Sequence, residues 1–228
     1  MAKKRVTRKQ LLKEPDEFIT STGKLIGWAR ENSRSLGIGI AIFLTLIIGL
    51  SAYIYFNERR TDTAQMMFSQ ALTKYQTELD QKGNVEALAA VSADFDLLLS
   101  KYGNLPAGKL GRVLYGHISS AGLDYDKAIG HYQKALDDFG GESSLMNIIL
   151  NGLATAYQQK GEYPEAIEQY RRILEGSTAI LKDAALFNLG RLYGQIGEAE
   201  KSREAYQQLS TEFPDSMYAN IVREKIAG

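Results

Sequence analysis

Few side chains in this sequence are of a type and spacing that could do chemistry. It has two histidines in 228 residues, His117 and His131, fourteen positions apart, and no cysteine. A protein metal site needs several ligands converging at fixed spacing, and neither histidine has a second ligand type at such a distance. Both read as surface residues, His131 as a solvated neighbour of Tyr132. The absence of cysteine excludes a disulfide scaffold, a thiolate zinc site, an iron–sulfur cluster and a thiol nucleophile, and leaves the redox compartment unreported. Carboxylates occur together at Asp137–Asp138 and at Glu162, Glu165 and Glu168. They lie at near-turn spacing to Lys134, Arg171 and Arg172, so they read as paired, solvated helix surface. No H-E-x-x-H, G-x-S-x-G or G-x-x-x-x-G-K-[ST] is present. The expectation is a protein that is not an enzyme and carries no cofactor or metal. Basic and acidic residues balance at 27 each, which argues against a nucleic-acid binder.

The charge is unevenly placed. Residues 1–34 hold nine basic and four acidic side chains, residues 35–57 hold none, and the remainder holds 18 basic and 23 acidic. Within the uncharged stretch, residues 36–56 are apolar, and twelve of these are Leu, Ile or Phe. As a helix they cover about 31 Å, close to the roughly 30 Å hydrocarbon core of a bilayer. Those twelve side chains favour insertion by very roughly 4–7 kcal/mol. A signal peptide has a shorter apolar stretch and a small-residue cleavage site, neither of which fits. The reading is an uncleaved single-pass anchor. Trp28 precedes it, and Tyr53 and Tyr55 sit near its other end, where amphipathic aromatics settle.

Orientation follows from the flanks. Nine Lys/Arg precede the span, against Arg59, Arg60 and Lys74 in the first 20 residues beyond it. The basic side stays in the cytoplasm. The prediction is a basic cytoplasmic tail (1–34), a transmembrane helix (35–57) and the rest of the chain across the membrane, in a bacterium the periplasm. The basic run Lys3–Lys13 reads as a topogenic cluster touching anionic lipid, and Pro15 as the start of a short surface helix. Along the span, Gly37, Ala41, Thr45 and Gly49 recur every four residues. Such a stripe lets a second membrane helix approach closely, although glycine is also simply common in such helices.

Self-similarity organises the remainder. Gly116, Ala154 and Gly190 each precede a tyrosine by sixteen residues: Tyr132, Tyr170 and Tyr206. A small residue stands four before each tyrosine, at Ala128, Ala166 and Ser202. Leu150, Leu153, Ala154 and Tyr157 fall at helical spacing, as do Ala166, Ile167, Tyr170 and Leu174. Gly161 suits a left-handed helix end and Pro164 the first turn of the next helix; Gly197 is the equivalent turn one unit on. Gly140–Gly141 and Gly176–Ser177 separate units. Asp215 or Ser216 caps a last helix, 216–227, whose Tyr218, Ile221, Val222 and Ile226 cover the end of the stack.

This pattern resembles the tetratricopeptide repeat, a helix–turn–helix unit of about 34 residues. The resemblance implies an all-α fold, a transmembrane helix followed by a right-handed helical solenoid. Its units are 109–142, 147–180 and 183–216 within 109–228, and residues 58–108 form a stalk or degenerate first repeat. Carrying over the family's groove gives candidate protein-binding positions Val113, His117, Asn151, Thr155, Gln158, Phe187, Arg191 and Gln195. That lining is mixed and nearly neutral. It lacks the several lysines with which some family members clamp a peptide carboxylate, and implies a protein segment held by apolar and amide contacts rather than a terminal acidic tail.

The layout is also similar to the membrane-anchored tetratricopeptide proteins that include the ancillary subunit of the bacterial Sec translocon. That likeness implies an inner-membrane adaptor handing emerging proteins to periplasmic chaperones. Alternatives are a scaffold for another envelope machine (cell division, secretion or pilus assembly), and an enzyme or small-ligand-binding protein.

Overall fold

The computed structural model describes residues 17–140 and 143–227. The basic run Lys3–Lys13, the helix start expected at Pro15 and the separator Gly141 lie outside them. Every regular element among the described residues is an α-helix. They are α1 (Glu17–Glu31), α2 (Ser33–Lys82), α3 (Asn84–Tyr102), α4 (Pro106–Ala121), α5 (Tyr125–Phe139), α6 (Ser143–Lys160), α7 (Tyr163–Glu175), α8 (Lys182–Gln195), α9 (Ala199–Glu212) and α10 (Ala219–Ala227).

The chain divides into two compact units, residues 1–58 and 59–228. In the first, Asn32 separates α1 from α2. Its N–H and its side-chain amide both donate to the Trp28 carbonyl at 2.9 Å. Ile38, Ile42, Phe43, Leu46, Ile48 and Leu50 are all exposed. An 18-residue window of α2 reaches a mean hydropathy of 2.3 with none of it buried. Gly37 and Gly49 have open space where a Cβ would stand, and Thr45 Oγ1 donates to the Ala41 carbonyl at 2.8 Å.

In the second unit the helices pack as successive hairpins, α4 on α5, α6 on α7 and α8 on α9, each against the next. Residues 59–82 of α2 and helix α3 precede them. Fully buried Ala64 and Ala71 lie in one cluster with Val91, Phe95 and Leu98. Half-buried side chains join one core to the next: Leu136 and Tyr157 touch the clusters on either side of them, and so does Leu174. A half-buried ion pair, Arg112 Nε to Asp138 Oδ2 at 2.9 Å, ties α4 to α5, and Arg112 also donates to the Gly103 carbonyl.

The turns inside the three hairpins are built alike. In each, an N–H bonds back five residues: Asp124 to Ser119, Glu162 to Tyr157 and Glu198 to Tyr193, at 2.8–2.9 Å. This closing bond forces the residue before it into the left-handed region. Gly161 and Gly197 adopt φ of 88° and 83° there, as expected of glycine. The first turn holds Leu123 instead, at φ 66°.

The last helix differs from expectation. It starts at Ala219 rather than 216, because Ser216 belongs to a turn: its N–H donates to the Phe213 carbonyl, and its Oγ donates to Asp183 Oδ2 at 2.7 Å. Val222 is fully buried and Tyr218 stacks on Phe187 with ring centroids 4.4 Å apart. Ile221, expected among the covering residues, is 46 % exposed. One residue of register decides this, since 218, 222 and 226 recur every four residues along one face and 221 lies beside it.

Candidate protein-binding groove

The small and aromatic positions of the repeat meet each other directly. A Cβ on Gly116 would stand 2.9 Å from the Tyr132 ring, and one on Gly152 would stand 2.6 Å from it. Tyr132 is therefore held between α4 and α6, spanning neighbouring hairpins. Gly190 is closed off in the same way by Tyr206. Ala128 and Ala166 are fully buried, and Ser202 donates its Oγ to the Gly190 carbonyl at 2.6 Å.

Tyr132 and Tyr170 bring their hydroxyls to the residue after the small position. Tyr132 Oη lies 2.7 Å from His117 Nδ1, and Tyr170 Oη lies 3.3 Å from Thr155 Oγ1. Arg191 occupies the same place one unit later, where its charge acts on both Tyr170 and Tyr206. Burial raises the pKa of all three phenols and lowers that of His117, so Tyr132 and His117 form a neutral pair at pH 7. His117, Thr155 and Arg191 thus form one row along the first helices of successive hairpins.

Two depressions lie along that row. The larger, about 500 Å³, is lined by His117, Leu123, Tyr132, Asn151, Gly152 and Thr155, among others. The second, about 400 Å³, is lined by Gly190, Arg191, Gly194, Ser202, Tyr206 and Lys225.

Of the eight positions read from sequence, His117, Asn151 and Thr155 meet at the first depression and Arg191 lines the second. Val113 is half-buried against the core of α5 and α6. Gln158 is half-buried and lines neither depression. Phe187 is covered by Tyr218, with Arg191 lying 6.0 Å from its ring centroid. Gln195 donates to Tyr163 Oη at 2.7 Å, near the hairpin turns. Lys225 was missed, although the repeat carries a signal for it: it stands 74 residues after Asn151, as Arg191 does after His117.

His131 is not the solvated residue expected. Its ring lies 4.4 Å from that of Tyr115, which in turn stacks on Phe95. Burial pushes its pKa down to about 4 despite Asp96 nearby, with Arg112, Lys134 and Lys127 adding to the depression. It is a half-buried, neutral side chain at pH 7. No group of three or more potential metal ligands occurs among the described residues.

Residues 27–227 match the family described as the tetratricopeptide repeat-like domain. The chain belongs to that family. A solved tetratricopeptide repeat protein from Parabacteroides merdae is similar in fold, with a TM-score of 0.56 at 19 % identity, over 72 % of this chain and 61 % of that one. Among curated proteins, the human intraflagellar transport protein 88 homolog is 27 % identical over 165 residues, which is 72 % of this chain. The chain spans only 17 % of that relative's length and under two thirds of the solved neighbour. Tetratricopeptide repeat domains act through protein–protein contacts.

Proposed function

We propose that this chain is a membrane-anchored adaptor whose repeats hold a protein segment on the far side of the bilayer. Residues 1–34 form a cytoplasmic tail and 35–57 cross the membrane. Residues 58–108 form a stalk or first repeat, and 109–228 present the groove in the periplasm. The observation that carries this reading is the apolar length of α2, whose window of mean hydropathy 2.3 has no buried residue. Apolar surface of that extent is stable in water only when covered, and lipid covers it without another protein. The nine-to-three excess of Lys/Arg on its N-terminal flank supports the orientation.

The partner is proposed to be a membrane complex that handles emerging proteins, the Sec translocon by layout, with periplasmic chaperones as recipients. The stripe of Gly37, Ala41, Thr45 and Gly49 would then be the docking face of the anchor.

Topology is directly testable because the chain has no cysteine of its own. Ala2→Cys and Gln207→Cys are each introduced into the full chain, and cells with a permeabilised outer membrane are treated with a membrane-impermeant maleimide. Labelling of Gln207→Cys in intact cells, and of Ala2→Cys only after lysis, is expected. The reverse pattern would overturn the periplasmic placement of the repeats, and release of the protein by carbonate washing would overturn the anchored reading.

A further inference from the structure

A notch opens on one side of the first unit, where α1 runs into α2. The Asn32 N–H donates to the Trp28 carbonyl and the Leu36 N–H to the Asn32 carbonyl, so helical spacing continues across the junction. Trp28, Asn32, Ser35, Gly39 and Phe43 therefore share one face, at steps of three and four. Trp28 and Phe43, 57 % and 62 % exposed, wall the notch at its two ends. Gly39 leaves the gap between them, with nothing within 4 Å of where its Cβ would stand. The notch encloses about 350 Å³.

Its length and its polarity both have an order. The fifteen residues from Trp28 to Phe43 make about 22 Å of helix. One leaflet of a bilayer, headgroups included, is also about 20–22 Å. Asn32 and Ser35 line the notch toward Trp28, Leu36 and Ile40 toward Phe43. With Trp28 at headgroup level, the polar pair stands at the edge of the hydrocarbon and the apolar pair at acyl depth. Asn32 uses one amide hydrogen on the Trp28 carbonyl and keeps the second. Thr45 and Thr63 turn their hydroxyls back onto a carbonyl four residues earlier. The Ser35 hydroxyl makes no such bond among the described residues.

Charge completes the match. Residues 23–34 hold three bases, Lys24, Arg30 and Arg34, against one acid, Glu31. None of the three bases forms an ion pair among the described residues. Lys24 is exposed and stands one turn before Trp28 on the same side of the helix.

We infer that this notch binds one anionic glycerophospholipid of the cytoplasmic leaflet. One acyl chain lies over Gly39 between Trp28 and Phe43, the ester oxygens accept from Asn32 and Ser35, and Lys24 meets the headgroup. The inference rests on the reading of α2 as a membrane anchor and adds a bound lipid to it. A second membrane helix fits the notch less well, because Trp28 and Phe43 stand out from a face that a close crossing needs free of bulk.

Trp28 is the chain's single tryptophan, so its fluorescence reports on the notch directly. The full chain is reconstituted in phosphatidylcholine vesicles with rising fractions of a quencher lipid. The quencher is phosphatidylglycerol or phosphatidylcholine, each with a nitroxide near the ester end of one chain. Quenching by the anionic probe is expected to saturate. It should reach half its extent at about fivefold lower lipid fraction than with the zwitterionic probe, the worth of one cation at an anionic surface. Lys24→Gln should remove most of that difference. Gly39→Leu fills the notch and should abolish saturation. Ala52→Leu, which adds bulk to the same helix in the other leaflet, should retain it.

Equal quenching by the two probes, a preference unchanged in Lys24→Gln, saturation that survives Gly39→Leu, or saturation lost in Ala52→Leu as well would each overturn the lipid site. The anchor would stand in all four cases, since Trp28 would still be quenched from within the bilayer. No quenching by either probe would overturn the anchored reading and the site with it.

Discussion

Gly152→Val will destabilise the repeat domain by about 1–3 kcal/mol, the range for an overpacked core. The new Cβ would stand 2.6 Å from the Tyr132 ring, whose retreat is limited by the α4 backbone at Gly116, packed so close that even a Cβ there would stand 2.9 Å from the ring. Rotating the ring out would break the 2.7 Å bond to His117. Gly130 supplies the control. It lies within α5, and a Cβ there meets nothing within 4 Å. Gly130→Ala is therefore expected to stabilise by about 0.5–1 kcal/mol, the ordinary gain of alanine over glycine in a helix. Thermal unfolding followed by circular dichroism compares the two. Equal midpoints would mean that Tyr132 is not clamped between the hairpins.

Leu123→Gly should raise stability by about 0.5–1 kcal/mol. Leu123 occupies the turn position that Gly161 and Gly197 hold in the next two hairpins, with the same closing hydrogen bond and φ 66°. A side chain in that conformation costs about 1–2 kcal/mol, and glycine returns part of the gain through its freer unfolded chain. Little packing is lost, because Leu123 is 64 % exposed. The same melting experiment reads it, and a fall in midpoint would show that the left-handed leucine is not strained. The strain stands at the larger depression, which Leu123 helps to line. Strain held at a binding surface is a common trade of stability for contact.

These two residues mark what can be read from the chain and what cannot. The spacing of Gly116 to Tyr132 and of Gly190 to Tyr206 is legible because a helix crossing needs a missing side chain on one helix and a large ring on the other. Gly161 and Gly197 are legible because only their φ explains glycine there. Leu123 gives no such signal, since a leucine does not announce its backbone angle; only its register against the two glycines does. His131 was misread because its burial depends on Phe95 and Tyr115, contributed by helices one and two removed from its own. Lys225 was missed because α10 lacks the paired small and aromatic residues that mark the earlier helices, and only the 74-residue offset connects it to Asn151. Phe187 was placed in the groove by register, whereas Tyr218, in a segment with no repeat signature, covers it.

The groove is the centre of the account, and photocrosslinking in living cells tests it most directly. A photoreactive phenylalanine analogue is placed in the full chain at Thr155 or Arg191 in the groove. In parallel variants it replaces Glu168 or Gln207, exposed residues of the second helices. The account predicts crosslinks to a distinct protein from positions 155 and 191 and none to that protein from 168 and 207. Crosslinks to the same protein from 168 and 207 alone, or equally from all four, would contradict it.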